Sequence, residues 1–553
     1  MTVTGRGNNE RFELNQLLAG VDQQERVHLL VLCYAFLWKI VQIMSAFNDQ
    51  FASANRVSQQ DRVLAGRRHF LLASTALATG AICCPTVSAA EMQVLLQRSA
   101  QDLFRIRIEM EVEGNVNVPE NPLVSRKSEL KLPIKSDAVF DYEERYHRPS
   151  GADANSVVTM AERFYHEAHS LSRINRTAQS CQLRESVRET VVRREMLPEV
   201  VYAVEDYFHR DELELLRVPA SSIAVDELLP REAVHEGSSY LPTRAAMVSV
   251  LNLTSVEASD VKAEVVSITN NEARIHFRGK VDGSVEGVPT LIRTVGKLTF
   301  DRTLGTCTWL AMAVHETREI GKAEPGFDVA ATIKMVRKPL TRTIALAPQP
   351  PKFDVTGPIP GERLYVDLRS DELGVSVLMD RRWRTMKDVP GAAMMRMIEA
   401  DRSIAQCDFR PLVGLQPGAQ WTLEAFQADV QQTLGEQLSD LIEADQRVSE
   451  SGLRVLRVTA QGSVEGVPIQ WIVLHFSDDS GRRVLATFTM EGDHVEAFAG
   501  SDMQLASTLR FIELPDRNAQ KVSVIDGKDT QRVAKANSGE ASHQEVQSAS
   551  DLR

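Results

Sequence analysis

Residues 261–318 read VKAEVVSITNNEARIHFRGKVDGSVEGVPTLIRTVGKLTFDRTLGTCTWLAMAVHETR, and apolar and polar residues alternate through most of this stretch. Alternation with a period of two is typical of strands that bury one face. Turn-forming residues interrupt it at Asn270-Asn271, from Gly283 to Pro289, and from Asp301 to Gly305. Because short turns of this composition join antiparallel strands, the stretch predicts a four-stranded meander. Its strands are expected at 261–268, 272–283, 290–300 and 306–319.

The chain before the meander continues the β pattern. Apolar residues alternate with charged ones from Gln101 to Val116, which predicts a half-buried strand ended by Gly114-Asn115. Residues 128–147 predict a further pair of strands, 157–170 a strand and 209–217 a short helix. We expect these elements and the meander to form one antiparallel β-rich domain, residues 91–337.

Residues 338–361 predict a linker, because six prolines fall in this short segment and favour an extended chain. Residues 516–553 are polar and poor in aromatic residues, which is typical of a disordered tail. The segment between them, residues 362–515, is expected to be a second domain.

The second domain combines strands with helices. A helix is predicted after Thr422 as N-cap, with Phe426 and Val430 on its apolar face and Gly435 as its end. A closing helix carries Met503, Leu505, Leu509 and Ile512. The fold class is therefore α+β, with two β-rich domains of antiparallel meander sheets and helices packed on the second sheet. Strands of the second domain are expected at 363–369, 374–379, 393–399, 403–410, 441–447, 453–463, 467–476 and 483–490.

Residues 1–90 have the features of an N-terminal extension with an export signal. Arg67 and Arg68 precede an apolar run that begins with Phe70 and Leu71, and the small residues that follow suit cleavage by a signal peptidase after Ala89 or Ala90. This pattern predicts a twin-arginine signal and a periplasmic or cell-envelope location. Upstream, residues 28–44 are apolar but broken by a lysine. Two interpretations stay open there: translation starts at Met44, or an uncleaved anchor contacts the membrane.

Composition and charge argue against a membrane or disordered protein and against a nucleic-acid partner. Of the 553 residues, 43% are hydrophobic and 25% are charged, which is typical of a globular protein. The net charge of −12 makes nucleic acid a poor partner, because no long basic stripe outweighs it.

A seven-residue sequence, Gly-Ser-Val-Glu-Gly-Val-Pro, occurs twice, at 283–289 and at 462–468. Both copies are expected between two strands. Two interpretations are open. Either this composition suits the turn of any wide hairpin, or the two copies come from a remote duplication.

The second domain resembles the PsbP-like fold. The residues that carry the resemblance are Gly374 to Val377 leading to Arg382-Trp383, Trp421 to Phe426, and Gly466 to Trp471. The family's early strand ends at Gly-Trp, whereas Arg382 precedes the tryptophan here. For residues 362–512 the resemblance implies an antiparallel sheet covered by helices and a non-enzymatic accessory, binding or assembly role. Residues 91–320 resemble, in architecture alone, the curved sheets of LolA-type lipid carriers.

The sequence predicts no catalytic, cofactor or metal residues. His166-Glu167-Ala168-His169 lacks the spacing of a zinc protease site, and on a strand its two histidines would point to opposite faces. Nucleophile elbows, phosphate loops and dinucleotide fingerprints are missing. Carboxylate clusters such as Glu205-Asp206 are interpreted as solvated faces, because calcium loops interleave such residues with glycine.

Cysteines and tryptophans of the expected mature chain are assigned to the core. Cys181, Cys307 and Cys407 are predicted to be buried free thiols, with one disulfide as the alternative. Trp383 lies among three arginines, so a surface contact is its alternative to a core position. The other three tryptophans are Trp309, Trp421 and Trp471.

These features predict an exported binding or scaffolding protein of the cell envelope that is not an enzyme and needs no cofactor. One alternative is a carrier of a lipid or other apolar ligand, which needs a dry pocket of about 300 Å³ or more. Another is a hydrolase, which needs a cleft where a histidine and a carboxylate converge. The partner is an envelope protein or, in the carrier, an apolar ligand. The carrier pocket would be lined by Ile106, Ile108, Met110, Val112, Leu291, Val295 and Leu298.

Overall fold

A computed structural model describes residues 94–119, 129–148, 156–195, 197–347, 357–498 and 500–513 of the chain. The predicted export-signal residues Arg67, Arg68, Phe70, Leu71 and Ala89, and the tail 516–553, lie outside the described residues. In the described ranges, no helix has the length and apolar character needed to cross a membrane.

The first half of the chain forms one large antiparallel sheet. Its strands are β1 (Leu103–Pro119), β2 (Glu129–His147), β3 (Met160–Ile174), β4 (Thr177–Gln182), β5 (Glu189–Arg193), β6 (Val200–Ala203), β7 (Ser239–Tyr240), β8 (Ser255–Ser259), β9 (Lys262–Ile268), β10 (Glu272–Val285), β11 (Val288–Asp301), β12 (Thr306–Arg318) and β13 (Gly326–Pro339). Their order is β6-β5-β3-β2-β1-β13-β12-β11-β10-β9-β7, with β4 beside β3 and β8 beside β10. The predicted meander is confirmed as β9 to β12.

The sequence analysis did not predict β4 to β8 or β13, and two of its other details are wrong in this sheet. The pair of strands predicted at 128–147 is the single strand β2, because the burial of every second side chain from Leu132 to Tyr142 runs through without a break. Gly114 does not end β1. A Cβ at this glycine would lie 2.4 Å from the carbonyl oxygen of Asp328, so the missing side chain permits the close approach of β13.

Helices cover the inner face of the large sheet, on which β1 buries Ile106 and Ile108. The helices are α1 (Arg210–Leu215) and α2 (Arg244–Leu251), and α1 confirms the helix predicted at 209–217. Leu215 of α1 and Val250 of α2 are fully buried in the same cluster as the strand residues. The inner face is therefore the core of this half, and the other face, called here the outer face, points away from it.

The second half contains two further antiparallel sheets, and the α+β class is confirmed. A three-stranded sheet has the order β14-β15-β23, and a seven-stranded sheet has the order β16-β17-β18-β22-β21-β20-β19. The strands are β14 (Tyr365–Ser370), β15 (Val375–Asp380), β16 (Trp383–Val389), β17 (Ala392–Glu399), β18 (Arg402–Pro411), β19 (Leu438–Val448), β20 (Arg454–Val464), β21 (Val467–Ser477), β22 (Arg483–Glu491) and β23 (Arg510–Phe511). The helices are α3 (Leu423–Leu434), α4 (Val495–Phe498) and α5 (Ser501–Thr508).

Helix α3 confirms the predicted cap, since the Thr422 hydroxyl accepts a hydrogen bond from the Ala425 N–H and Gly435 follows the last turn. Its Phe426 and Val430 pack on the seven-stranded sheet. The closing helix α5 is shorter than predicted. The backbone of Leu509 is extended because the chain turns there into β23, which pairs with β15.

The two halves share one core. Buried apolar residues from Leu96 to Leu509 form a continuous cluster. An ion network also crosses the junction: Arg384 of β16 lies 3.9 Å from both Glu286 and Glu324, and Arg217 lies 2.9 Å from Glu286. Burial alone would raise the pKa of Glu214, but the surrounding arginines lower it to about 2. The junction is therefore held by both apolar packing and charge.

Residues 340–347, called here the strap, bind to the large sheet. The N–H groups of Ile344, Ala345 and Leu346 donate to the carboxylate of Glu143, and Leu346 is buried. The predicted linker 338–361 thus begins as a segment attached to the first half. The division of the chain into domains at 91–337 and 362–515 stays a prediction.

Candidate functional site

The inner face of the large sheet is filled rather than hollow. A cavity of about 50 Å³ lies there between β-strands and the segment from Leu216 to Ser221. Its walls are partly polar: Arg163 donates to Glu144 at 2.7 Å and to the Ser222 hydroxyl at 3.0 Å. A cavity of this volume has room for a few water molecules, and a lipid chain needs several times more.

The proposed carrier face is only partly correct. Ile106, Ile108, Met110, Val112 and Leu298 are buried in the core. On β11, however, burial alternates so that Leu298 points inward while Leu291 and Val295 point to the outer face. The strand period of two makes this unavoidable, because odd and even positions cannot share a face.

Histidine and carboxylate side chains do meet, but between neighbouring strands. His147 lies 3.1 Å from Glu162, and His315 lies 3.1 Å from Asp328. His166 lies 2.8 Å from Glu143, the carboxylate that holds the strap. A carboxylate engaged by three backbone N–H groups has a structural role here, and no arrangement in the described chain indicates catalysis.

The sequence predicted that the two histidines of His-Glu-Ala-His point to opposite faces of the strand. This prediction is wrong. Asp141 pairs with Glu167 and Tyr142 with Tyr165, so His166 is the extra residue of a β-bulge in β3. The bulge brings both histidines to the outer face, where His169 lies 3.4 Å from Glu167. Each imidazole is thereby paired with a separate carboxylate.

Other predicted core residues are placed as follows. The three cysteines Cys181, Cys307 and Cys407 are buried and free, as predicted. Trp383 is fully buried, which excludes the surface alternative. Trp309 is different: it lies on the outer face and is 37% exposed. Elsewhere in the described chain one trio of possible metal ligands occurs, formed by Glu491, Asp493 and His494 at an exposed turn.

The centre of the outer face carries small and apolar side chains. Trp309 of β12 and Val336 of β13 are directly opposite each other in the ladder, and Val336 is 39% exposed. Further along the same two strands the outward residues include Ala311, Ala313 and Ala330, and the exposed Lys334 of β13 lies directly opposite Ala311. We call Trp309, Val336 and the three alanines the central strip. Small side chains leave the backbone of the strip accessible to another surface.

Basic residues lie on one side of the central strip. Arg293 and Lys297 project from β11 and Arg278 from β10, and all three are exposed. In the described part of the chain, no carboxylate is within ion-pair distance of these three side chains. This side therefore presents positive charge to solvent.

Acidic residues lie on the opposite side of the strip. Glu109, Glu111 and Glu113 project from β1, and Asp137 projects from β2. Glu109 is bound by Arg107 at 2.9 Å, whereas Glu111 and Asp137 have no cationic partner among the described residues. The outer face thus has a basic side and a side on which acidic residues outnumber basic ones near the strip, since Arg107 of β1 and Lys135 of β2 also point outward there.

The strand register places these charges symmetrically. Lys297 and Glu109 lie in one cross-strand row, and each is one strand away from the β12–β13 pair. Arg278 and Asp137 share the next row, each two strands away. A surface with opposite charges at equal distances from a line is complementary to itself. The sequence predicted the alternation of β1, β10, β11 and β12, but it predicted neither the strand β13 nor this pairing, because β1 and β13 are neighbours only in the folded chain.

No protein family matches the chain, and no curated protein matches it in sequence. Solved structures are similar to parts of it. PsbP from Synechocystis sp. PCC 6803 covers 28% of this chain and 96% of its own length, at 13% identity and a TM-score of 0.21. A Pseudomonas aeruginosa protein of unknown function covers 25% of this chain and 92% of its own, at 11% identity and a TM-score of 0.18.

A protein from Bacteroides thetaiotaomicron covers 26% of this chain at 10% identity and a TM-score of 0.19, and the match spans 47% of that protein. These similarities amount to a loose fold resemblance between part of the chain and PsbP. They carry no argument about function. The expected resemblance of residues 91–320 to LolA-type carriers stays a prediction.

Proposed function

We propose that the chain is an exported, non-enzymatic binding and scaffolding protein of the cell envelope. In this proposal the outer face of the large sheet pairs with the outer face of a second copy. The observation that supports it is the symmetric division of that face into basic and acidic sides around a central strip. Export rests on the N-terminal signal predicted from residues 67–89.

The pairing follows from a two-fold axis that runs parallel to the strands, between β12 and β13. Rotation about this axis brings each row of one copy over the same row of the other copy. The two sides of the row are exchanged, so the basic side of one copy faces the acidic side of the other. Lys297 then faces the partner's Glu109, and Arg278 faces the partner's Asp137. Trp309 faces the partner's Val336. Every such contact occurs twice, as in other two-fold interfaces.

The apolar and charged contacts have different roles. Trp309 and Val336 are partly exposed in one copy and would be covered in the pair, which gives the apolar contribution. The opposed charges set the orientation and speed the encounter, and salt weakens them. Net repulsion between two chains of charge −12 is offset locally, because the facing charges are opposite.

The two alternatives have less support. A carrier needs an apolar pocket, and the cavity on the inner face is about 50 Å³ with polar walls. A hydrolase needs a histidine and a carboxylate in a cleft, and the histidine–carboxylate pairs described above lie between strands. The non-enzymatic role is accordingly part of the proposal.

Sedimentation velocity of charge-reversed variants tests the pairing. Arg278→Glu places two acids opposite each other, so we expect a dissociation constant at least about tenfold higher, which corresponds to about 1.4 kcal/mol. Adding Asp137→Arg to the same chain reverses both members of the pair and should restore the dimer. Arg410→Glu, at an exposed arginine of β18, is the matched control and should leave the dimer unchanged.

A chain that sediments as a monomer at all concentrations would refute the pairing. The pairing would also be refuted if the double variant dimerised no more tightly than Arg278→Glu alone. That result would show that Arg278 and Asp137 do not face each other.

A further inference from the structure

A second site lies in the other half of the molecule, on the face of the seven-stranded sheet that α3 covers. Ser477 of β21 is flanked in register by Arg483 of β22 and by Arg454 of β20. Cross-strand neighbours on one face lie about 5 Å apart at their Cβ atoms. The row therefore places a hydroxyl between two guanidinium side chains.

Two residues of this row, Arg454 and Ser477, line a groove of about 480 Å³ next to Gln420, just before the start of α3, and Arg483 lies behind Ser477 in the sheet. Arg454 lies along the groove, and its guanidinium donates to Gln420 at 2.5 Å and to Gln446 at 3.0 Å. Both partners are neutral amide oxygens, so they orient the guanidinium without neutralising it. The one carboxylate that lines the groove, Asp479, is exposed on the turn after β21.

The guanidinium of Arg483 is fixed by hydrogen bonds and still has a nitrogen that donates to no partner. Its Nε and Nη2 atoms donate to the carbonyl oxygen of Val413 at 3.0 and 2.6 Å, and its guanidinium lies 5.0 Å from the centre of the Trp421 ring. Its Nη1 atom is buried without a hydrogen-bond partner. In the described chain, no carboxylate lies within ion-pair distance of Arg454 or Arg483. An unpaired buried donor of this kind is costly unless a ligand or water accepts from it.

His475 lies beside this pair, one row further under α3. It is 1% exposed, stacks 5.0 Å from the Trp421 ring, and neither ring nitrogen has a hydrogen-bond partner. Burial lowers the pKa of His475, and the charges of Arg483 and Arg454 lower it further, to about 4. The imidazole is therefore neutral at pH 7, as expected beside cations that no anion balances.

We propose that Arg454, Arg483 and Ser477 form a binding site for a doubly charged oxyanion, a phosphate group or a dicarboxylate. The two guanidiniums supply two positive charges and several N–H donors, and the serine supplies a hydroxyl. A single carboxylate would leave one of the charges uncompensated. The proposal is independent of the pairing of the outer face, which is formed by the other half of the chain.

Isothermal titration and thermal unfolding of the full chain with inorganic phosphate test this site. At constant ionic strength, phosphate should bind and raise the melting temperature, because a ligand of the folded state stabilises it. Acetate should not. Malonate distinguishes the two kinds of ligand. Malonate binding without phosphate binding assigns the site to dicarboxylates, and phosphate binding without malonate binding assigns it to phosphates.

Arg454→Gln should weaken binding at least about tenfold, equivalent to about 1.4 kcal/mol, and leave folding intact, since the side chain is only half-buried. Arg447→Gln is the matched control. That arginine lines the same groove but is already bound to Asp445 at 2.8 Å, so binding should be unchanged. Equal losses in the two variants, or no stabilisation by phosphate or malonate, would overturn the proposal.

Discussion

The two copies of Gly-Ser-Val-Glu-Gly-Val-Pro form the same backbone in different surroundings. Glu286 and Gly287 have φ of 52° and 87°, and Glu465 and Gly466 have φ of 51° and 86°. In the first copy, a Cβ on Gly287 would lie 2.5 Å from the carbonyl carbon of Ala400. In the second copy, a Cβ on Gly466 would meet nothing within 4 Å. The same turn is therefore docked at the junction in one place and free in the other.

Replacing each glycine by alanine isolates the cost of the docked contact. Both variants place a side chain at positive φ, which costs about 1–2 kcal/mol. Gly287→Ala also overlaps the backbone at Ala400, so we expect a further loss of about 1–3 kcal/mol in the free energy of unfolding. Denaturant unfolding measures both variants, and Gly466→Ala is the control. Equal losses would show that the two turns are in equivalent surroundings.

Glu214 links the stability of the junction to pH. Its folded-state pKa of about 2 is below the ordinary value of 4.5, so its contribution is present above pH 4.5 and lost as pH falls toward 2. In Glu214→Gln this part of the pH dependence should disappear. The variant should also lose about 3 kcal/mol at pH 7, because the nearby arginines stay buried with less countercharge. Unfolding measured from pH 2 to pH 7 tests both effects. A wild-type-like slope in the variant would contradict the assignment.

Among the elements, the sequence predicted best the strands with strict alternation. The four meander strands were found because their buried and exposed positions alternate and their turns contain asparagine, aspartate and glycine. β16 was missed, and the three arginines around Trp383 left a surface position open for that tryptophan. Arg384 is instead buried, since Glu286 and Glu324 of the first half accompany it. Contacts between distant segments of this kind cannot be read from local periodicity.

The strap and the junction determine how a cut chain behaves. A specific protease site inserted between Pro350 and Pro351 should allow complete cleavage. The two fragments should nevertheless elute together in size-exclusion chromatography, because the shared core and the ion network still join them. They should separate in denaturant. Two folded fragments that elute apart without denaturant would show that the junction contributes little.

At the scale of the whole molecule, the outer face combines features that the sequence showed one strand at a time. The charged residues of β1 were predicted to alternate with apolar ones along a half-buried strand, and its glutamates are exposed or half-buried on the outer face. Their position opposite the arginines of β10 and β11 depends on the order β1-β13-β12-β11-β10. The groove near Ser477 was not predicted for the same reason, since Arg454, Ser477 and Arg483 come from three strands.

Export determines where the molecule acts, and it can be tested separately. Residues 44–95 fused to a reporter should direct the reporter out of the cytoplasm, as the predicted signal requires. Arg67→Lys with Arg68→Lys should block the twin-arginine route. Fractionation of cells measures both. A reporter that stays in the cytoplasm with the native sequence would contradict the predicted location.

Photo-crosslinking from the central strip tests the pairing of outer faces most directly. Ala313 lies beside the proposed two-fold axis, so a benzophenone amino acid there should face Thr332 of β13 in the second copy. We predict a covalent dimer whose crosslink maps to β12 or β13. The same group at Val413, which is 87% exposed in the other half, should give none. If Ala313 gives no crosslinked dimer, or its crosslinks map outside the large sheet, the outer face does not pair with itself and the proposed scaffold is wrong.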